Sequence, residues 1–272
     1  MTKNREQYTM GYGPAATAIM AMRTAQSHAA FFLQHLKPGM SLLDCGCGPG
    51  TITLGFAELV APGQVVGTEI EGSQVTLARE NAARRTVSHT RFEVADIYEL
   101  PFKDASFDAV FISAVLANLR EPVRGLREAY RVLKPGGVIG VKEFDHGGDL
   151  LYPSEPALEK YAELYWRLRR ENGHDPEGGR KLGTLLLDAG FSDLKLSACY
   201  ESFAHSALRG FAEVSVGLLS EGWGDAFRSR GWATGEAIKE MSDAWRRFAA
   251  FPGAIFAAAW CEAVARKGVS GL

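Results

Sequence analysis

A carboxylate followed by alternating glycines is the feature of this sequence best suited to chemistry. Asp44 precedes three glycines, Gly46, Gly48 and Gly50. Glycine has no Cβ, so a ligand can approach the backbone of such a turn closely. The charge of Asp44 attracts a ligand that carries an ammonium group and repels a pyrophosphate. The segment therefore predicts a binding turn for a small cationic ligand.

The spacing of these glycines differs from that of a nicotinamide dinucleotide site. The dinucleotide pattern G-x-G-x-x-G would place its third glycine at a position where this chain has Thr51. A carboxylate ahead of the turn would also oppose the pyrophosphate of a dinucleotide. A nicotinamide-dependent oxidoreductase is therefore the less favoured alternative from another class of protein. An inactive module that only binds the cofactor also stays open.

Further acidic residues follow apolar segments along the chain. Glu69 closes the second such segment and Asp96 follows the third. Glu143, Asp145 and His146 come at the end of the fifth segment, and they are candidates for a general base that accepts a proton from a nucleophile. The alternative is a loop without chemistry, since Asp and His are common in loops.

These residues lie between short apolar segments that alternate with helical ones. The predicted strands are 41–44, 64–68, 90–94, 107–112, 138–143, 193–200 and one within 255–266. Strands that alternate with helices favour a parallel sheet, whose ligands bind beyond the carboxyl ends of the strands. We therefore predict an α/β fold: a Rossmann-like sheet of seven mostly parallel strands with helices on both faces.

The segments outside this alternation predict two helical additions. Pro14 begins a predicted helix that ends near Leu36, and residues 144–153 are predicted to form a loop. Apolar stripes predict helices over 203–219 and 234–248, which we interpret as a lid inserted before the last strand. The predicted division is 1–36 (N-terminal helical cap), 37–200 (cofactor-binding core), 201–252 (helical lid) and 253–272 (last strand and tail).

The composition narrows the classes of partner. The formal net charge is −2 and 46% of the 272 residues are hydrophobic, which favours a globular protein and argues against a nucleic-acid partner. The four cysteines form no CxxC pair, so we predict no metal site. No apolar run reaches the length of a membrane span. We expect a cytoplasmic protein that acts on a small molecule, and a homodimer is left open.

With these motifs in order, the sequence resembles the class I S-adenosylmethionine-dependent methyltransferases. The resemblance covers roughly Leu36 to Phe191. Within this class, the sequence is similar to the branch of quinone-biosynthesis and natural-product methyltransferases. It also includes the turn Arg131-Val132-Leu133-Lys134-Pro135-Gly136-Gly137 before the fifth strand. One departure is Ala117-Asn118-Leu119, where many relatives have a histidine.

The resemblance implies a role for each matching position. Asp44, Gly46 and Gly48 would lie along the methionine part of the cofactor, and Glu69 would grip both ribose hydroxyls, with Glu71 as its substitute. The remaining implied cofactor-binding residues are Ile70 on the adenine, Asp96 and Ile97 beside its amino group, Ser113 and Ala114 at the end of the fourth strand, and Tyr8 and Tyr12 folded over the cofactor.

The implied reaction is methyl transfer in line to an O, N or C nucleophile of a small, apolar or aromatic molecule of the natural-product type. A quinone-precursor C-methyltransferase is the alternative within the class. An RNA methyltransferase is disfavoured by the mild acidity of the chain and the lack of an added RNA-binding module.

Overall fold

A computed structural model describes residues 8–269, which form two compact units. We call them the sheet unit and the helical unit. The sheet unit comprises Met20–Phe144, Glu177–Cys199 and residues 260–269, and the helical unit comprises residues 8–19, Asp145–Pro176 and Tyr200–Ala259. The four-part division predicted from the sequence stays a prediction.

The strands confirm the predicted sheet. The described residues contain β1 (Leu42–Cys45), β2 (Val65–Glu69), β3 (Thr90–Val94), β4 (Phe107–Ser113), β5 (Leu133–Phe144), β6 (Leu150–Tyr152), β7 (Ser192–Ala204) and β8 (Ile255–Arg266). In the sheet unit the order is β3-β2-β1-β4-β5-β8, and β7 pairs with β8. The first five strands pair in parallel and β8 runs antiparallel to β5. Mostly parallel pairing over seven strands is the predicted Rossmann-like arrangement.

Both faces of this sheet are buried. Successive residues of a strand point to opposite faces, and alternate residues of β4 belong to two different core clusters. Val110 and Ile112 of β4 belong to one core cluster, and Ala109 and Phe111 belong to another. The first cluster includes side chains from α6 (Pro122–Val132) and α8 (Leu182–Asp188). The second includes side chains from α2 (Ala25–His28), α3 (Ala30–Leu33) and α4 (Thr51–Val60). Helices therefore cover both faces, as predicted.

The N-terminal helix predicted from Pro14 to Leu36 was wrong as one continuous element. The chain forms α1 (Pro14–Ala21), then α2 and α3. Thr24 caps α2, because its side chain accepts a hydrogen bond from the Ser27 backbone N–H while the Ser27 hydroxyl accepts one from the Thr24 N–H. A capping box of this kind starts a new helix and interrupts the old one.

Four helices and a π-helical turn form most of the helical unit. These are α7 (Pro156–Glu171), α9 (His205–Leu218), α10 (Gly224–Ser229) and α11 (Gly235–Ala250), and a π-helical turn, Leu219–Trp223, separates α9 from α10. The remaining helix, α5 (Gly72–Arg84), belongs to the sheet unit. The predicted loop at 144–153 was wrong in part, since β6 pairs there with Ile255–Ala257 of β8. Helices α9 to α11 precede β8 in the chain at the place predicted for the lid.

Among residues 8–269, no helix combines the length and the apolar character needed to cross a membrane.

Candidate cofactor site and general base

The glycine turn after β1 adopts a backbone that only glycine accepts easily. Gly46, Gly48 and Gly50 have φ values of +74°, +50° and +77°, in the left-handed region that disfavours side chains. A Cβ on Gly46 would collide with the Val115 side chain, and one on Gly48 would lie 3.3 Å from Met20 Sδ. The backbone conformation and the close neighbours therefore both favour glycine at these positions.

Asp44 is a buried carboxyl group near the end of β1. Its side chain is 3% exposed, and Oδ2 accepts a hydrogen bond from Thr53 Oγ1 of α4 at 2.6 Å. Burial raises the pKa of Asp44 to about 7, the Thr53 hydrogen bond opposes that rise, and the charge of Glu69 adds to it. The site thus holds a carboxyl group whose ionised form would gain from a cationic neighbour.

Glu69 connects the end of β2 to the glycine turn. Its carboxylate accepts backbone N–H bonds from Gly48 at 3.2 Å, Ile70 at 2.8 Å and Glu71 at 3.2 Å. Burial raises the pKa of Glu69, and the three N–H bonds oppose the rise. Because β1 and β2 are parallel neighbours, Asp44 and Glu69 lie at the same sheet edge, as predicted from the sequence.

Asp96 and Ile97 follow β3. Asp96 Oδ1 accepts the Tyr98 N–H at 2.9 Å, and the Asp96 carbonyl accepts the Glu99 N–H at 3.0 Å. Asp96 therefore forms a local turn through its own side chain, a common use of aspartate in loops. Ile97 is partly buried against the core cluster of α6.

Ser113 is the last residue of β4, Ala114 follows it, and each has an unusual feature. The Ser113 hydroxyl is buried and has no hydrogen-bond partner within residues 8–269. Ala114 has φ of +56°, and its N–H donates to the Lys142 carbonyl at 2.9 Å. Strained backbone and unsatisfied polar atoms are concentrated at functional sites, so the end of β4 is suited to binding a polar ligand.

These observations fit a cofactor that carries both a cationic amino acid and a nucleoside. The Asp44 carboxyl group suits an ammonium or sulfonium group, and the Glu69 carboxylate suits a pair of hydroxyls as acceptor. The Ser113 hydroxyl needs a partner that the described protein atoms do not supply. A side chain on Gly46 would fill the space beside Val115.

Glu143, the first candidate base, accepts hydrogen bonds from nearby backbone N–H groups. It is fully buried, Oε2 accepts the Ala117 N–H at 3.1 Å and Oε1 accepts the Phe144 N–H at 3.2 Å. Ala117 lies in the short 3₁₀ turn Leu116–Asn118 after β4. Both oxygens of Glu143 thus support the ends of β4 and β5, which favours a structural role.

His146 has the geometry of an oriented imidazole. Its Nδ1 lies 2.8 Å from Asp149 Oδ2, and Asp149 Oδ1 accepts the Ala259 N–H at 2.8 Å. The ring makes an edge contact with Tyr165 at 5.6 Å between centroids. Sequence reasoning missed Asp149, although the spacing of three residues inside a short turn was available as a signal. Asp145 is 4% exposed, and its N–H donates to the Ala259 carbonyl at 2.9 Å.

Tyr8 and Tyr12 belong to the helical unit, and their ring centroids lie 5.1 Å apart. The segment between them is anchored, because Thr9 Oγ1 lies 2.7 Å from His174 Nδ1 and accepts from Asn172 Nδ2 at 2.8 Å. The other implied cofactor-binding residues all belong to the sheet unit: Asp44, Gly46, Gly48, Glu69, Ile70, Asp96, Ile97, Ser113 and Ala114.

The fold and the turn together define a Rossmann-like enzyme of the class I methyltransferase type. A family described as "Methyltransferase domain" matches residues 36–186, more than half of the chain. The chain belongs to this family, and its cofactor is S-adenosylmethionine.

Curated relatives agree with this family. An uncharacterized methyltransferase of Schizosaccharomyces pombe is 34% identical over 197 residues, which are 70% of this chain and 70% of the relative. A ubiquinone/menaquinone biosynthesis C-methyltransferase of Vibrio cholerae is 35% identical over 131 residues, or 47% of each chain. The chain thus matches about half the length of the second relative.

Solved structures share the fold. The cyclase SpnF superposes with a TM-score of 0.53 at 26% identity, covering 93% of this chain and 81% of its own. A Haemonchus contortus phosphoethanolamine N-methyltransferase, solved with phosphomonomethylethanolamine and S-adenosylhomocysteine, has a TM-score of 0.54 at 19% identity and covers 85% of this chain and 49% of its own.

Proposed function

We propose that this enzyme transfers the methyl group of S-adenosylmethionine to an O, N or C nucleophile of a small, apolar or aromatic molecule. The observation that carries the proposal is the turn from Asp44 to Gly48, held by Glu69 through the Gly48 N–H. The bound cofactor supplies a methyl group on a positively charged sulfur, and a neutral thioether is left after transfer. The chain's own residues then have to bind, align and exclude water.

On this proposal the sheet unit holds the cofactor. Asp44, Gly46 and Gly48 receive the amino acid part, and Glu69 accepts hydrogen bonds from the ribose hydroxyls. Ile70, Asp96 and Ile97 border the adenine. Ser113 and Ala114 complete the site, and the buried Ser113 hydroxyl gains a partner. A role for Tyr8 and Tyr12 in covering the cofactor stays a prediction from the sequence.

His146 is the base that the geometry favours among the three candidates. Glu143 is bound by two backbone N–H groups, whereas His146 is oriented through Nδ1 by Asp149. Because Asp149 holds the ring at Nδ1, we expect proton exchange with a substrate at Nε2. A base is required for a hydroxyl or carbon acid and not for a neutral amine, so His146 favours the first two acceptors.

Aromatic side chains of the helical unit support an apolar or aromatic acceptor. Trp223 stacks on Tyr165 with 4.2 Å between centroids, and Phe211 stacks on Phe203 at 4.4 Å. The Trp245 indole N–H is buried and finds no hydrogen-bond partner in the described part of the chain. The rings of Trp223, Tyr165 and Phe203 are buried, so the support comes from the aromatic character of the helical unit, which suits a flat apolar molecule. A quinone precursor is the alternative acceptor, supported by the likeness to the Vibrio cholerae C-methyltransferase.

The test combines binding with turnover. Isothermal titration calorimetry measures affinity for S-adenosylmethionine, S-adenosylhomocysteine and NAD, and we expect binding of the first two only. S-adenosylmethionine with a labelled methyl group is then incubated with phenols, aryl amines and quinols, and transfer of label is measured. Binding of NAD alone would contradict the site assignment.

A second candidate function is a reaction without methyl transfer at the same cofactor site. The likeness to a cyclase over 93% of this chain favours keeping it. It predicts tight binding of S-adenosylhomocysteine with no transfer of label to any acceptor, and unchanged acceptor turnover when S-adenosylhomocysteine replaces S-adenosylmethionine. A methylated product excludes it.

A further inference from the structure

A lysine, a cysteine and a glutamate from three neighbouring strands of the sheet unit meet in one contact. Lys142 lies on β5, Cys199 on β7 and Glu262 on β8. Lys142 Nζ donates to Glu262 Oε1 at 3.0 Å and to Cys199 Sγ at 3.2 Å. Cys199 Sγ also lies 3.1 Å from Glu262 Oε1. The amine nitrogen and the sulfur are thus held within contact distance of each other and of one carboxylate oxygen.

The contact is held in place by its surroundings. Lys142 is 3% exposed, and a buried ammonium group is stable only when it is paired. Glu262 supplies the pairing charge, and its second oxygen accepts from Ser197 Oγ at 3.2 Å. Trp260 adds a ring centroid 5.6 Å from Nζ. The lysine therefore has little freedom to leave the thiol.

We propose that Cys199 and Lys142 form a reversible covalent sulfur–nitrogen bond when the protein is oxidised by hydrogen peroxide. Sulfenic acids condense with nitrogen nucleophiles to sulfenamides. Here the nitrogen is a side-chain amine already in contact with the sulfur, and Glu262 is the adjacent proton acceptor. The modification is independent of the cofactor site and of the proposed methyl transfer.

The two steps balance in atoms and electrons. In the first, the thiol of Cys199 is oxidised by two electrons to a sulfenic acid, and one hydrogen peroxide is reduced to water. In the second, Glu262 accepts one proton from the Lys142 ammonium group, and the freed amine attacks the sulfur. The sulfenic hydroxyl leaves as water with a second ammonium proton, and an S–NH bond remains. A thiol reductant regenerates the amine and the thiol.

Access and protonation set the rate of the first step. Cys199 is partly exposed, whereas Cys45 and Cys47 are buried. Burial raises the pKa of Cys199, hydrogen bonding to Glu262 raises it further, and Lys142 opposes both. The charged groups that face the thiol are therefore Lys142 from β5 and Glu262 from β8. Oxidation should accelerate with alkaline pH, roughly tenfold per pH unit while the thiol is mostly protonated.

The bond would tie together two strands that both pair with β8. β5 pairs with β8 through Lys142 and Glu262 in register, and β7 pairs with β8 from its own side. A link from Cys199 to Lys142 therefore crosses β8 and restrains β7.

The experiment is a peptide map of the whole protein. Reduced protein is treated with hydrogen peroxide at neutral and alkaline pH, its free thiols are alkylated, and it is digested with trypsin without reduction. We expect a linked pair of peptides that contains Lys142 and Cys199, is lighter than their sum by two hydrogens, and is uncleaved after Lys142. Dithiothreitol should release both peptides. Alkylation of Cys261 on β8 measures unselective oxidation.

Two variants serve as controls. Lys142→Arg keeps the charge beside Glu262 but lacks a nucleophilic amine, so dimedone should trap sulfenic acid at Cys199 in this variant far more than in the wild type. Cys199→Ser should give no linked peptide. Equal dimedone labelling of Cys199 in wild type and Lys142→Arg would overturn the proposal. So would a reduced Cys199 beside an oxidised Cys261, or a linked pair heavier by one oxygen. If Lys142→Arg fails to fold, the wild-type map alone decides.

Discussion

Replacing Asp44 with asparagine separates the contribution of this residue to cofactor affinity from its effect on the free energy of unfolding. Asparagine keeps an oxygen that can accept the Thr53 hydroxyl, so the 2.6 Å hydrogen bond need not be lost. It removes only the ionisable group. Because burial raises the pKa of Asp44 from 3.8 to about 7, the ionised form is disfavoured in the folded protein.

The sign of the stability effect follows from that direction. The folded state holds its proton more tightly than the unfolded chain, so stability falls as the pH rises from about 4 to about 7. The shift corresponds to about 4 kcal/mol of unfolding free energy when the carboxyl group is fully ionised. Asp44→Asn should therefore be more stable than the wild type by up to about 4 kcal/mol near pH 8, and the gain should vanish near pH 4.

The effect on binding has the opposite sign. Loss of a charge-assisted contact costs about 1.5–3 kcal/mol, which is about 10- to 150-fold in the dissociation constant of S-adenosylmethionine. In the wild type the affinity should rise with pH until Asp44 is ionised, near pH 7. In the asparagine variant that dependence on Asp44 should be lost.

Urea denaturation of the cofactor-free protein at several pH values, with calorimetry in parallel, measures both effects. Asp108→Asn is the matched control, since burial raises the pKa of Asp108 but hydrogen bonds from Lys134 and Ser41 outweigh it and lower the pKa. That variant should lose stability at neutral pH, and the loss should shrink in acid. A stability difference for Asp44→Asn that is the same at every pH would refute the electrostatic reasoning.

The remaining predictions concern the turn, the ribose acid and the base. Glu69→Gln should weaken S-adenosylhomocysteine binding by about 1.5–3 kcal/mol, measured by calorimetry, because the amide accepts fewer hydrogen bonds than the carboxylate; unchanged affinity would place the ribose elsewhere. Gly46→Ala should lower the free energy of unfolding by at least about 1 kcal/mol in urea titrations because of its positive φ, and Val115→Ala in the same chain should restore the part due to the side-chain collision. His146→Gln should lower kcat about 10²- to 10⁴-fold with an acceptor found by the labelled-methyl assay, and Asp149→Asn should lower kcat with less effect on cofactor affinity. Full turnover in His146→Gln would exclude it as the base.

Much of the sheet was predictable because its signals are local. Short apolar strands separated by helices of regular period gave the strand positions, and parallel pairing follows from the helical crossovers. The carboxylates at the ends of β1 and β2 were predictable for the same reason. In a parallel sheet, residues at the carboxyl ends of neighbouring strands lie at the same end of the sheet, where ligands bind.

What the sequence could not provide depends on contacts between distant segments. Thr53 is nine residues from Asp44, and its hydroxyl reaches the carboxyl group only because α4 packs against β1. The spacing of three residues could have suggested Asp149 as a partner of His146, but the Ala259 N–H that fixes Asp149 comes from β8, far along the chain. The hydrogen bond from the Ala117 N–H to Glu143 likewise joins the turn after β4 to the end of β5. Each is a hydrogen bond across the fold that no local pattern encodes.

The burial of two acids at one sheet edge bears on how substrate and product would be distinguished. Burial raises the pKa of both Asp44 and Glu69, and neither acid has a basic side chain among the causes of its shift. An acid held in this way gains most from a positive charge brought by a ligand. After methyl transfer the sulfur loses its positive charge, so the electrostatic part of binding is weaker for the product than for the substrate. On the proposed function, the excess of negative charge at the turn therefore favours the charged cofactor and assists exchange of the spent one. A ratio of dissociation constants for S-adenosylmethionine and S-adenosylhomocysteine that is the same in the wild type and in Asp44→Asn would contradict this role.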